Sequence, residues 1–173
     1  MPIAKLFIEG NLEAEVLNPI LQGNPVLQRG GSKNSLKPRA RAERRDNKVA
    51  AGYLRDRDFD FDPPVDISKP TVDSEDNGIP FGWRWCRHEI ENYLIDPVIV
   101  SEADDAFVAD VAKILLWFSG KDILAGMADW LVTKSVANPG EFRASLRDWA
   151  IANPGRALEL LPEWNSLTEI LRA

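Results

Sequence analysis

In the N-terminal third of the chain, apolar residues follow two periodicities in turn. Residues 4–8 form a short, mostly apolar run typical of a buried strand, whereas the apolar residues of 12–21 recur at helical spacing. The same reasoning predicts a short strand at 26–28, a basic helix at about 36–45 and a third strand at 49–54. This alternation of strands and helices predicts a parallel sheet with helices packed against it.

The pattern changes after the third strand. Prolines and polar residues dominate 62–80, which indicates an exposed loop, and the apolar and aromatic segment 81–87 predicts a fourth strand. We expect an α/β core over 1–100 and a helical extension over 101–173, packed together as a single compact domain with a mostly parallel sheet of about four strands. Helices of the extension are predicted at about 107–118, 123–132, 142–151 and 157–171.

The composition is that of a folded protein, with 45% hydrophobic and 28% charged residues. The longest uninterrupted aliphatic or aromatic run, 114–118, is far too short to cross a membrane. The N-terminal residues lack the long apolar region of a signal peptide, and the single cysteine, Cys86, excludes an internal disulfide. We therefore expect a cytoplasmic protein without a membrane partner.

The charge of the chain is unevenly distributed. The net charge is −6, yet segment 29–48 has eight basic residues against two acidic ones, which leaves −12 on the remainder. A basic segment on an acidic body fits a polyanion bound at one place, and it fits a solvated helix face equally well. The candidates for contacts with nucleic-acid phosphates are Arg29, Lys33, Arg39 and Arg41.

Acidic residues lie at or just after three of the predicted strands. In an open parallel sheet, functional groups collect at the carboxyl ends of the strands. Carboxylate oxygens are also the ligands that Mg²⁺ and Mn²⁺ prefer. These positions predict a divalent metal site at one edge of the sheet. The three clusters are Glu9 with Glu13, Asp56 with Asp58, and Glu89 with Glu91.

The second cluster belongs to a longer alternation, in which aspartates occupy every second position from Asp56 to Asp62. In an extended segment these side chains would point the same way. Four like charges on one face are tolerable in solvent or around a cation. We interpret Asp56 and Asp58 as metal ligands, and Asp60 and Asp62 either as groups that support those ligands without touching the ion or as charges of the following loop.

The order of these motifs resembles that of a TOPRIM domain, which has a Rossmann-like fold. The strings that carry the resemblance are KLFIEGNLEAEVL, VLQRGGS, VAAGYLRDRDFD and RHEIENYLIDP, and they span about residues 4–97. The similarity is closest to TOPRIM nucleases of the OLD type and to related TOPRIM proteins of phage defence. Glu9, a glycine at 30 or 31, and Asp56 with Asp58 stand where that family has Glu, Gly and Asp-x-Asp.

The resemblance implies a site that cleaves phosphodiesters with two divalent ions, Mg²⁺ or Mn²⁺. In that scheme Asp56, Asp58 and Glu9 hold one ion. Glu13 matches the second acid of the OLD-type nucleases and helps to hold the other ion. An acid beyond the fourth strand completes the set, and either Glu91 or Glu89 can take that place.

The resemblance also raises the question of accessory groups. A lysine often stabilises charge on the phosphate in such sites, and Lys121 is the candidate.

OLD-type proteins carry an ATPase ahead of the TOPRIM domain, but no Walker motif is present in this sequence, so an ATPase would have to be a separate subunit.

Two functions from different classes therefore remain open. The first is a metal-dependent nuclease that acts on DNA or RNA, with a role in phage defence. The second is a TOPRIM-like module that binds nucleic acid or a protein partner without catalysis.

Overall fold

The computed structural model describes residues 2–58, 60–103 and 139–173, and in these ranges five strands form one sheet. The strand order across the sheet is β2-β1-β3-β5-β4; β4 is antiparallel to β5, and the other pairs are parallel. The α/β class and the mostly parallel sheet are thus confirmed, with one strand more than predicted. The strands are β1 Lys5–Ile8, β2 Val26–Arg29, β3 Ala51–Arg55, β4 Thr71–Asp76 and β5 Ile79–Arg84.

Helices flank this sheet and make up the C-terminal stretch of the described chain, as predicted. The prediction of one helix over 157–171 is wrong: the chain forms two helices on either side of Leu161, because Pro162 lacks the N–H that would continue the first helix. No helix in the described ranges is long and apolar enough to cross a membrane. The helices predicted at 107–118 and 123–132 lie outside the described residues. The described helices are α1 Asn11–Leu21, α2 Lys33–Asp46, α3 Glu91–Leu94, α4 Pro97–Ala103, α5 Pro139–Ala152, α6 Pro154–Leu160 and α7 Pro162–Arg172.

Strand β4 lies inside the segment 62–80, so the prediction of a loop over that whole segment is wrong. The hairpin between β4 and β5 turns at Asn77 and Gly78, whose φ angles are 51° and 75°. Asn-Gly is the dipeptide that favours a two-residue hairpin turn, because both residues tolerate positive φ. This local signal was available in the sequence, but the surrounding prolines indicated a loop more strongly.

The sheet has a hydrophobic cluster on each of its two sides. The smaller one lies under α2 and includes Leu36, Tyr53 and Phe81. The larger one joins α1 to residues of α3 through α7 and to Trp85, which follows β5. Because one cluster contains residues from both sides of position 100, the described C-terminal helices pack directly on the α/β core.

The close pairing of β3 with β5 depends on a glycine. Tyr53 lies opposite Gly82 in the parallel register. A Cβ atom at Gly82 would lie 2.2 Å from Cε1 of Tyr53, so a side chain there would collide with the ring. The absence of a side chain at Gly82 lets the tyrosine ring cross β5 and reach the edge strand, where its hydroxyl contacts Ser74 at 2.6 Å.

Candidate functional site

The carboxyl ends of β1 and β3 bring Glu9 and Asp56 together. The two strands are parallel neighbours, and each acid directly follows its strand. The backbone N–H of Asp56 donates a 3.1 Å hydrogen bond to Oε1 of Glu9 across 47 positions of sequence. Burial raises the pKa of Glu9 above its usual value, and the charge of Asp58 adds to the effect while this hydrogen bond opposes it.

Glu13 is buried in the first turn of α1, where its carboxylate accepts three N–H donors. Its Oε2 accepts hydrogen bonds from the backbone of Glu9 and of Gly10, both at 3.0 Å, and its Oε1 accepts one from the indole of Trp85 at 3.2 Å. Burial raises the pKa of Glu13 to about 7, and the charge of Glu9 contributes. Glu13 therefore fixes the turn between β1 and α1.

Asp56 is the most strongly perturbed acid of the site. Burial, followed by the negative charges of Glu13, Glu9, Glu89 and Asp58, raises its pKa to about 9. Its Oδ1 is buried and accepts no hydrogen bond from any residue that the structure describes. A buried carboxylate oxygen without a donor is costly, and a cation bound to it would remove that cost.

Asp58 does not lie on the same face of a strand as Asp56, although the alternation in the sequence suggested that it would. Strand β3 ends at Arg55, and Asp58 has a φ of 50°, so the aspartates from 56 onwards do not lie on one face of a strand. The interpretation of an extended segment is wrong at this point. The carboxylate of Asp58 pairs with Lys33 at 2.9 Å, and the same Nζ pairs with Asp60 at 2.6 Å.

Both acids beyond β5 are buried near this site. The exposed fraction of Glu89 is 5% and that of Glu91 is 2%. Glu91 lines the same cleft as Asp56, while the charge of Glu89 raises the pKa of Asp56. The structure therefore places both candidates close to Asp56, and the choice between them stays open.

A cleft of about 590 Å³ opens onto these acids. Arg29, at the end of β2, and Glu91, which follows β5, both line it, and in the sheet β1 and β3 lie between β2 and β5. A guanidinium at this position can contact a phosphate that approaches the acids. The other lining residues that carry charge are Glu9, Glu13 and Asp56.

The remaining basic candidates lie on α2 and separate into two groups. Lys33 and Arg41 line a second cleft of about 800 Å³. Arg39 lines a different, smaller cleft of about 190 Å³, together with Glu43 and Asp46. The last catalytic candidate, Lys121, lies outside the described residues.

The negative charges and carboxylate oxygens of these acids suit a divalent cation, but the described acids are not placed so as to surround one. Across 2–58, 60–103 and 139–173, no three His, Cys, Asp or Glu side chains have the mutual placement of a formed metal site. The contacts of two acids explain this, because Glu13 is held by three N–H groups and Asp58 is held by Lys33. Glu9 and the Oδ1 atom of Asp56, which accepts no hydrogen bond from the described residues, therefore remain as the main candidate ligands.

Two supporting residues were not found by sequence reasoning. Trp85 donates its indole N–H to Glu13 across 72 positions, and Glu163 accepts the backbone N–H of Cys86 across 77 positions. Nothing local marks either residue, since one tryptophan and one glutamate resemble the others in the sequence. Only the tertiary structure reveals them, because α1 supplies the partner of Trp85 and α7 supplies the partner of Cys86.

Comparison with models of known protein families gives no match for this chain, and comparison with curated proteins gives none either. The resemblance to TOPRIM domains therefore depends on the motifs and on their order along the chain.

Proposed function

We propose that the protein is a TOPRIM-type phosphodiesterase that cleaves nucleic acid with Mg²⁺ or Mn²⁺. The observation that carries this proposal is the environment of Asp56. Its largely buried carboxyl lies among other carboxylates, and its Oδ1 accepts no hydrogen bond from the described part of the chain. Crowded like charges are costly unless protons or a cation neutralise them, and a hydrolase site uses the cation.

The chain's own residues divide the work in this proposal. Glu9 and Asp56 would hold the ion, and Glu91 or Glu89 would complete its ligands. Glu13 positions the backbone of Glu9 through the 3.0 Å hydrogen bond to its N–H. A bound Mg²⁺ or Mn²⁺ would activate water and neutralise charge that develops on the phosphate.

Two further groups act on the substrate and on the ligand set. Arg29 would contact a phosphate at the mouth of the cleft, because it is the basic side chain among the described residues that line it. Asp58 would join the ligands after Lys33 moves to a substrate phosphate. The second ion that the resemblance implies would require Glu13 or Glu91 as a further ligand.

The matched pair Asp56→Asn and Asp148→Asn tests this proposal. Both substitutions remove one carboxylate charge, but Asp148 is exposed on α5, where it pairs with Arg147 at 2.8 Å. We expect Asp56→Asn to abolish Mn²⁺-dependent cleavage of plasmid DNA and of RNA, with the circular dichroism spectrum unchanged. Asp148→Asn should cleave like the wild type. Equal cleavage by Asp56→Asn and the wild type would overturn the assignment of the site.

A role in phage defence together with a separate ATPase subunit is part of the same proposal. It is supported by the resemblance, because OLD-type proteins combine a TOPRIM domain with an ATPase. Cleavage by the isolated chain that requires no ATP would show that this subunit is dispensable for the chemistry.

One observation favours a second candidate, a non-catalytic binding module. Within the described ranges no three-residue metal group is formed, and Glu13 is committed to structural hydrogen bonds. A thermal melt separates the two functions, because a cation that binds only the folded state raises the melting temperature. Stabilisation by Mn²⁺ with cleavage supports the nuclease, and no shift at millimolar Mn²⁺ supports the binding module.

A further inference from the structure

Helix α2 carries a regular row of basic side chains along one face. Its members lie four residues apart, and such residues occupy neighbouring turns on the same side of a helix. The rise between successive members is about 6 Å, from about 1.5 Å per residue. This spacing is comparable to that of successive phosphates along one nucleic-acid strand. The basic row consists of Lys33, Lys37, Arg41 and Arg45.

The whole basic row lines one groove, the cleft of about 800 Å³ described above. The opposite wall comes from β3, from the segment after it and from β4. This wall includes one carboxylate, Asp73, which is paired with Arg84 at 3.1 Å and is thereby neutralised. The residues of that wall are Tyr53, Arg55, Phe61 and Asp73.

The middle of the row is available to an anion. In the described ranges, no carboxylate lies within ion-pair distance of Lys37 or Arg41, whereas Lys33 pairs with Asp58 and Asp60. Arg41 is exposed, and its guanidinium lies 5.8 Å from the ring centre of Phe81. Two neighbouring cations without carboxylate partners are a suitable contact for a polyanion.

The wall facing the row offers an aromatic surface. Phe61 is 39% exposed, and the guanidinium of Arg84 lies 3.9 Å from the centre of its ring, with that of Arg55 at 5.6 Å. Aromatic rings and guanidinium planes are the surfaces on which unpaired bases stack. In a duplex the faces of the bases are covered by their neighbours, so a stacking surface selects a single strand.

The groove also leads towards the acids. Lys33, the first member of the row, pairs with Asp58 at 2.9 Å, and the preceding residue, Ser32, lines the cleft that holds Glu9 and Asp56. One end of the groove therefore adjoins the cleft of the candidate metal site. A strand that lies along α2 would bring its next phosphate to these acids.

We propose that this groove binds a single strand of nucleic acid, with successive phosphates on the basic row of α2 and a base stacked at Phe61. The path of the strand towards the acids rests on the proposed nuclease function. The binding itself does not, because it uses residues outside the acidic cleft.

The test measures binding without turnover. A fluorescently labelled single strand of about 12 nucleotides is titrated with the protein in EDTA, and fluorescence anisotropy gives the dissociation constant. We expect Lys37→Glu to weaken binding at least about fivefold and to flatten the salt dependence. Phe61→Ala should weaken binding at least about fivefold, with the salt dependence unchanged, because a stacked base is lost and no charge.

Two comparisons and one replacement variant make the result decisive. Lys69→Glu makes the same charge change at an exposed lysine that lines none of these clefts, and it should change affinity less than about twofold. The duplex of the same sequence should bind more weakly than the single strand. If Lys37→Glu does not fold, Arg41→Glu replaces it, since that side chain is exposed.

Some outcomes would overturn the proposal. These are tighter binding of the duplex, equal effects of Lys69→Glu and Lys37→Glu, or an unchanged affinity in Phe61→Ala. Failure of this inference is distinguishable from failure of the proposed function, because Asp56→Asn should lose cleavage and keep single-strand binding in EDTA. Binding that depends on Lys37 in a protein that never cleaves would support the groove and contradict the nuclease.

Discussion

The backbone N–H of Cys86 donates a 2.8 Å hydrogen bond to Glu163, although the two residues lie 77 positions apart. Glu163 is 2% exposed in the first turn of α7, and it also accepts the hydroxyl of Tyr93. The ring of Tyr93 lies 5.8 Å from that of Trp164. Helix α7 thereby holds the segment from β5 to α3 that carries Glu89 and Glu91.

This contact predicts a large effect of Glu163→Ala on stability. The substitution leaves a buried N–H and a buried hydroxyl without their acceptor, and each such loss costs about 1–3 kcal/mol. We expect the free energy of unfolding to fall by about 3 kcal/mol, as measured by urea denaturation. Glu159→Ala is the control, because Glu159 is exposed and its ion pair with Arg156 lies on the surface. Equal losses in the two variants would show that the buried carboxylate does not hold the segment.

The raised pKa values of two acids predict that the metal-free protein is more stable at low pH. The pKa of Asp56 is raised from 3.8 to about 9 and that of Glu13 from 4.5 to about 7. At pH values between the ordinary pKa of each acid, which applies to the unfolded chain, and its raised pKa in the folded protein, the folded state binds more protons than the unfolded state. The free energy of unfolding therefore falls as the pH rises through this range. Melting temperatures in EDTA should therefore decrease from pH 5 to pH 9. Asp56→Asn should reduce this decrease, and Asp148→Asn should leave it unchanged.

The same titration predicts how metal binding depends on pH. A cation binds the deprotonated carboxylates and must displace protons, so its binding strengthens as the pH rises. The increase in melting temperature produced by Mn²⁺ should be larger at about pH 8 than at about pH 6. Asp56→Asn should lose most of this increase. An equal increase at both pH values would mean that the ion binds elsewhere.

Replacement by alanine should change the free energy of unfolding in opposite directions at Gly82 and at Gly155. Gly82→Ala places a methyl group 2.2 Å from Cε1 of Tyr53, and such overpacking costs about 1–3 kcal/mol. Gly155, in helix α6, has no atom of another described residue within 4 Å of an added Cβ apart from its chain neighbours and the backbone of its own helix, so Gly155→Ala should stabilise the protein by about 0.5–1 kcal/mol. Urea denaturation of both variants checks the pair. A stable Gly82→Ala variant would contradict the tight pairing of β3 with β5.

Much of the candidate site was predictable because its acids are adjacent to strand ends. Glu9 directly follows β1 and Asp56 directly follows β3, so a parallel sheet must bring them to one edge. The role of Asp58 was not predictable in the same way. Its neighbour Lys33 is 25 positions away, and the turn at Asp58 removes it from the pattern of the strand.

By itself, the sequence determined the positions of β1, β2, β3 and β5 and of helices α1 and α2, because hydrophobic periodicity and helix boundaries depend on residues close in the chain. It also determined that acids follow three of the strands. Only the tertiary structure decided which of these acids are held by protein donors, which one keeps an oxygen without a donor among the described residues, and which basic side chains share a groove. These outcomes depend on contacts between distant segments, where burial and neighbouring charges set the chemistry of each carboxylate.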